Sequence, residues 1–189
     1  MENPTDSDLT GQMLIAMPTM ADPRFERSLV FLCAHNEDGA MGLVVNRAVE
    51  EISFAEMLEQ LQIEQLSPAE DIQVQYGGPV ETSRGFVLHS ADYLHDGSLQ
   101  VTERIALTAT LQVLRDIAEN QGPRHKMLAL GYAGWGPGQL DSEIQQNAWL
   151  TVDPDEELLF GGELEGKWSR ALKKLGIDPS MLSGAAGHA

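Results

Sequence analysis

The amino-acid sequence predicts a single α+β domain, and three observations carry that reading. Short apolar runs recur along the chain, each ended by Gly, Pro, Asn or Asp, the pattern of strands and turns. Four segments instead place apolar residues at helical spacing. The two kinds of element alternate too irregularly for a doubly wound parallel sheet. With 189 residues, 42% hydrophobic and 22% charged, the chain can bury a core without staples.

Residues 1–8 are polar and acidic and read as a tail; 183–189 read as a flexible tail, leaving 9–182 as the domain. A strand is expected at 12–17, ended by Pro18, and the two-proline segment 18–27 is expected to be a loop. The unbroken apolar run 29–34 predicts a strand buried on both faces. Glu37-Asp38-Gly39 turns the chain into a partner strand at 41–46. Ser53 and Glu56 form a capping box ahead of Phe54, Met57, Leu58 and Leu61, so 53–61 is a helix. A helical turn at 67–70 and a strand at 72–76 follow, then a break at Gly77-Gly78-Pro79. Short strands are expected at 85–89 and 99–101. The clearest helix spans 108–120, with Leu111, Leu114, Ile117 and Ala118 on one stripe and Gly122-Pro123 as its stop. A buried strand at 127–132 leads into a glycine-rich loop at 131–138. A short helix at 139–146 turns Leu140 and Ile144 inward, and a strand occupies 149–152. The last helix, 165–175, directs Trp168, Leu172 and Leu175 inward and ends at Gly176.

Charge excludes some partners. Lys and Arg number 12 against 29 Asp and Glu, a formal charge of −17. Phosphate recognition needs a basic patch, so direct DNA binding and anionic lipid are disfavoured. All four lysines lie beyond residue 120, and only that end offers a modest basic face. The lone cysteine, Cys33, permits no internal disulfide and suits a reducing cytoplasm. No basic n-region opens the chain, and no apolar run approaches the roughly 18 residues of a membrane span.

Few residues suggest chemistry. Cys33 and His35 are two apart on a predicted strand and are expected on one face, but about 6.5–7 Å apart at the backbone, too far for a direct hydrogen bond. A buried, inert thiol is the expectation. The loop Gly131-Tyr132-Ala133-Gly134-Trp135-Gly136-Pro137-Gly138 sits between strand and helix, where amides can hold an anion. It lacks the Lys-Ser/Thr of a phosphate loop, and Asp141 and Glu143 repel phosphate, so a constrained turn around Trp135 is favoured. Arg84 and His89, after the Gly77-Gly78-Pro79 break, form another polar grouping. No histidine has metal-ligand spacing and no nucleophile motif is present, so no metal and no cofactor is expected.

Taken together, the motifs resemble a family. Gly11-Gln12-Met13-Leu14-Ile15-Ala16-Met17-Pro18, Asp22-Pro23-Arg24-Phe25, Cys33-Ala34-His35 and Gly39-Ala40-Met41-Gly42-Leu43-Val44-Val45-Asn46-Arg47 are similar to the opening of the AlgH/YqgE family of bacterial proteins. Gly77-Gly78-Pro79-Val80, Val87-Leu88-His89, the Trp135 segment with Gly138-Gln139-Leu140, Asn147-Ala148-Trp149-Leu150 and Leu175-Gly176-Ile177-Asp178 continue the likeness in order. The resemblance implies a bifurcated, barrel-like mixed β-sheet with about three to five flanking helices, and a cytoplasmic location. It brings no catalytic set; some members are described as candidate transcriptional regulators of exopolysaccharide production. Cys33, His35, Asn46, Arg47, Arg84, His89, Trp135 and Gln139 are therefore taken as a candidate ligand or interaction surface. The expected function is non-enzymatic regulation or interaction, as monomer or homodimer, with a protein or small-molecule partner. The alternative is a small-molecule-binding protein or enzyme with a site near Cys33, His35 and the Trp135 loop.

Overall fold

The computed structural model describes residues 8–65 and 72–185, with side chains to residue 182. The tail before residue 8, the expected turn at 67–70 and residues 186–189 lie outside the described residues. Among the described residues nine strands form one sheet: β1 (Met13–Ala16), β2 (Leu29–Asn36), β3 (Gly39–Val44), β4 (Val74–Tyr76), β5 (Val80–Ser90), β6 (Ser98–Gln100), β7 (Ile105–Thr108), β8 (Lys126–Trp135) and β9 (Trp149–Val152). The order is β6-β7-β5-β8-β3-β2-β1-β9, all antiparallel, with β4 joining β8 in parallel. The sheet curls into a half-barrel. Helices α1 (Phe54–Gln60), α2 (Leu111–Ala118), α3 (Gln139–Gln145), α4 (Glu156–Phe160), α5 (Lys167–Lys174) and α6 (Pro179–Ala185) surround it among the described residues. Four match expected helices; α4 and α6, of five and seven residues, are additions.

The bifurcation lies on β8. One edge of this strand pairs with β5; the other takes β4 along residues 128–130 and β3 along residues 133–135. β3 and β4 meet where Val44 donates its N–H to the Gly77 carbonyl (2.8 Å) and Gly77 donates to Leu130 (2.8 Å). Backbones cross there without room for side chains. A Cβ on Gly78, at φ +152°, would lie 2.1 Å from the Tyr132 carbonyl carbon, and one on Gly131 would lie 2.3 Å from the Gly78 carbonyl oxygen. This corrects the expected loop at 131–138: through Trp135 the chain is strand, and its glycines serve the crossing as well as the turn at Gly136-Pro137-Gly138.

Three apolar clusters follow from the curl. The central one, inside it, joins Phe31, Leu43, Phe86, Leu88 and Met127 to Leu158 and Leu159 of α4 and Trp168 and Leu172 of α5. A second packs Phe25, Trp135, Trp149 and Leu140 on the outer face of β1–β3. The third packs Phe54 and Leu58 of α1 and Val113, Leu114 and Ile117 of α2 against Val74, Val87 and Leu128. The Ser53 oxygen accepts from Glu56 N–H (3.1 Å), as the capping signature requires. Two expected inward residues are half-exposed instead: Leu111 is the first residue of α2, and Leu175 follows the last of α5. Strand β7 claims Thr108, which the sequence pattern assigned to the following helix.

Lys167 is buried completely at the start of α5, donating from Nζ to the carbonyls of Val45 (3.1 Å) and Leu159 (3.3 Å). Burial, which disfavours the ammonium, pulls it down to about 8.

Candidate functional site

The residues singled out from the sequence do not gather in one cleft. Cys33 sits in the central core, 2% exposed, and burial pushes its thiol up to about 12. It is not on the same face as His35, contrary to expectation. The β2–β3 register slips between Leu32 and Ala34, so a β-bulge inserts one residue and reverses the alternation beyond it. His35 thus points to the opposite face, where Nδ1 accepts from Leu9 N–H (3.1 Å) and Nε2 lies 3.5 Å from Asp141 of α3. We expect thiol reagents to label native Cys33 far more slowly than the denatured chain; native labelling faster than denatured near neutral pH would reveal an activated thiolate instead.

Asn46 and Arg47 tie down the loop before β2. The Asn46 amide accepts from Leu29 N–H (3.0 Å) and donates to the Arg27 carbonyl (2.9 Å), and the Arg47 guanidinium donates to the carbonyls of Arg24 and Glu26. Gln139 Oε1 accepts from Gly136 N–H (2.9 Å) and fixes the turn into α3. Trp135 is 6% exposed, its ring 6.4 Å from Phe25 and 5.8 Å from Trp149. His89 is wholly buried, Nδ1 bonded to the Ser90 carbonyl (2.9 Å) and Nε2 to Thr108 Oγ1 (2.7 Å). A carbonyl only accepts, so Nδ1 carries the proton and Nε2 accepts from Thr108. Desolvation accordingly lowers the His89 pKa.

Of these residues, Arg84 and Trp135 share an open groove of about 660 Å³, also lined by Asn36, Met41, Phe86 and Tyr132. The Arg84 guanidinium lies 5.1 Å from the centre of the Phe86 ring and 3.5 Å from Glu81. A larger assembly of polar groups lies elsewhere, where β8 begins. Ser53, Gln75, Arg124, His125, Lys126 and Phe160 line a cleft of about 640 Å³ between α1, β4 and the end of α4. Two smaller hollows adjoin it, one sharing Arg124 and Lys126, the other sharing His125 and Phe160. His125 is braced by Glu156 (2.7 Å) and stacks on Phe160 (5.8 Å between centres). The Gln75 amide oxygen is buried with no hydrogen-bond partner among the described residues.

Sequence reasoning missed this cleft. Its signal was the run Arg124-His125-Lys126, three consecutive basic-type side chains in a chain of charge −17. Among the described residues no group of His, Cys, Asp and Glu is placed to hold a metal, and no helix is long and apolar enough to cross a membrane.

Fold and side-chain arrangement define an α+β protein whose half-barrel sheet forks along one long strand. The chain belongs to the AlgH-like family: the family model DUF179, described as AlgH-like, matches residues 13–180. A UPF0301 protein of Paracoccus denitrificans is 58% identical over 186 residues, covering 97% of this chain and 98% of that one. One from Rhodospirillum rubrum is 55% identical over 181 residues, covering 96% and 94%. The solution structure of the AlgH protein from Pseudomonas aeruginosa superposes with a TM-score of 0.79 at 43% identity, covering all of both chains. A Corynebacterium diphtheriae protein shares the fold, with a TM-score of 0.71 at 19% identity, covering 92% of this chain and 90% of that one.

Proposed function

We propose that this chain is a non-enzymatic cytoplasmic protein that acts by binding, and that its regulatory effect passes through a protein or small-molecule partner rather than through DNA. One observation carries this reading. Two side chains suited to covalent or acid–base chemistry are committed to the fold: Cys33 is closed in the core, and both ring nitrogens of His89 are bonded inside the protein. A nucleophile needs an accessible, ionisable group beside a base. His35 and Cys33 face opposite sides of β2, which removes the pair an enzyme reading would use. Binding needs only surface, and the cleft at Arg124 and the groove at Arg84 provide it. Cytoplasmic residence rests on the single unpaired cysteine. The same reading covers a monomer or a homodimer.

The net charge of −17 supports the exclusion of duplex DNA. In an electrophoretic shift at low salt, purified protein is expected to leave duplex DNA unshifted. A robust shift that weakens as salt rises would overturn the reading.

A further inference from the structure

The buried imidazole of His89 is linked by two hydroxyls to the edge of the sheet. Its Nε2 accepts from the Thr108 hydroxyl on β7 (2.7 Å), and the Thr108 and Ser98 oxygens lie 2.7 Å apart. Thr108 has one hydroxyl proton and gives it to His89, so in the second bond Ser98 donates to Thr108. Ser98 pairs with Thr108 across the β6–β7 ladder, and its oxygen also accepts from His95 N–H (3.2 Å). The donors thus point inward, from the half-buried Ser98 to a ring with none of its surface exposed.

A proton on Nε2 reverses each link. The ring becomes a donor at both nitrogens, Thr108 must turn its hydroxyl to Ser98, and Ser98 must turn its own away. Inside the closed sheet the new charge is cut off from solvent, and both ring nitrogens face uncharged partners, the Ser90 carbonyl and Thr108. Charged and titratable groups surround the ring at one remove. Asp92, after β5, is bonded to Ser90 and to Arg124 N–H. Asp116 of α2 is held by Tyr93 and Gln112. Tyr93 stands edge-to-face to His89 (5.5 Å) and carries His95 on its other side (4.2 Å). Lys126 of β8 lies directly opposite His89. Burial outweighs the Ser90 bond and the pull of Asp92, and holds the imidazole pKa below its ordinary value of about 6.5.

Solvent is nearest through β6. Among the described residues this strand spans only Ser98–Gln100, pairs with β7 alone and ends the sheet, and its Leu99 and Gln100 are exposed. Once β6 detaches, water reaches Thr108, whose oxygen can accept from Nε2–H while its hydroxyl donates to that water. Strand β7 then becomes the edge.

We infer that β6 is an acid-released edge strand: a proton on His89 acts through the Thr108–Ser98 pair to favour detachment of β6 from β7. This response stands apart from whatever the chain binds. The detached state takes up the proton more readily than the closed one. The closed ladder is therefore most stable above about pH 6.5 and loses that stability as pH falls below it.

The test is hydrogen exchange of the full chain by NMR from about pH 7.5 to about pH 5, corrected for intrinsic rates, with the histidine ring signals followed in the same samples. The opening constant of the β6–β7 amides is expected to rise about tenfold between about pH 7 and about pH 5. Its midpoint should match that of the His89 ring, while the β1–β2 amides keep their protection. His89→Gln is expected to abolish the rise. Should that variant fail to fold, the parent alone decides. Opening that follows the ring of His35, His95 or His125 instead, or no change in opening while His89 titrates, overturns the coupling. A His89 ring that stays neutral until the β1–β2 amides also open is a structural residue only, and that result overturns the switch.

Discussion

Gly78→Ala is expected to leave the protein unfolded or nearly so, with a loss of at least about 4 kcal/mol. The added Cβ would meet the Tyr132 carbonyl carbon at 2.1 Å, its oxygen at 2.3 Å and the Ala133 nitrogen at 2.4 Å. All three are backbone atoms of β8, held by pairing to β5 and β3, so no rotamer change relieves the contact. A φ of +152° adds strain for any residue with a Cβ. Since a domain of this size has about 5–15 kcal/mol of stability in total, such a loss takes most of it. Two further glycines separate the causes. Gly138→Ala, at φ +73° with nothing within 4 Å, should cost only the left-handed penalty of about 1–2 kcal/mol. Gly162→Ala, in open space, should cost next to nothing. Urea midpoints give the ranking; Gly78→Ala within about 1 kcal/mol of the parent would show that the crossing is not as tight as described.

Trp135→Asn is expected to cost about 3–5 kcal/mol. The ring lies between Phe25 and Trp149 in the second cluster, and Asn would leave both a cavity and a buried amide in need of partners. Trp135→Phe keeps a ring in place and should cost less than half as much. If denaturation midpoints of Trp135→Asn and parent coincide, the ring is exposed in solution, and this end of the groove becomes a binding surface in its own right.

How much of this was legible in the sequence depended on whether a feature is local. The α1 cap, the β2–β3 hairpin and the amphipathic helices α2, α3 and α5 came from spacing alone, because each is decided by neighbours in the chain. Tertiary contacts decided the failures. Four glycines in eight residues suggest a loop, yet most of that run is strand, and one of them, Gly131, answers to a backbone crossing at Gly78, some 50 residues away in sequence. The bulge at Cys33 leaves no local signature, and it alone turns His35 away from the thiol. Arg84 and Trp135 meet through strand pairing, which periodicity does not specify. Arg124 drew no attention because one basic tripeptide in an acidic chain reads as surface; the cleft that it lines is built by the parallel pairing of β4 with β8.

The forked strand also dictates an order of events during synthesis. Strands β1 to β7 leave the ribosome before β8, yet among the named strands β8 is the one that pairs with β5, β4 and β3 alike. Until residue 135 emerges, the nascent chain holds two sets of strands with unpaired edges facing each other across a gap. The central core waits longer still, for Trp168 and Leu172 of α5. The interval between β3 and β8 is therefore when this protein is most open to aberrant strand pairing, and when a chaperone has most to protect.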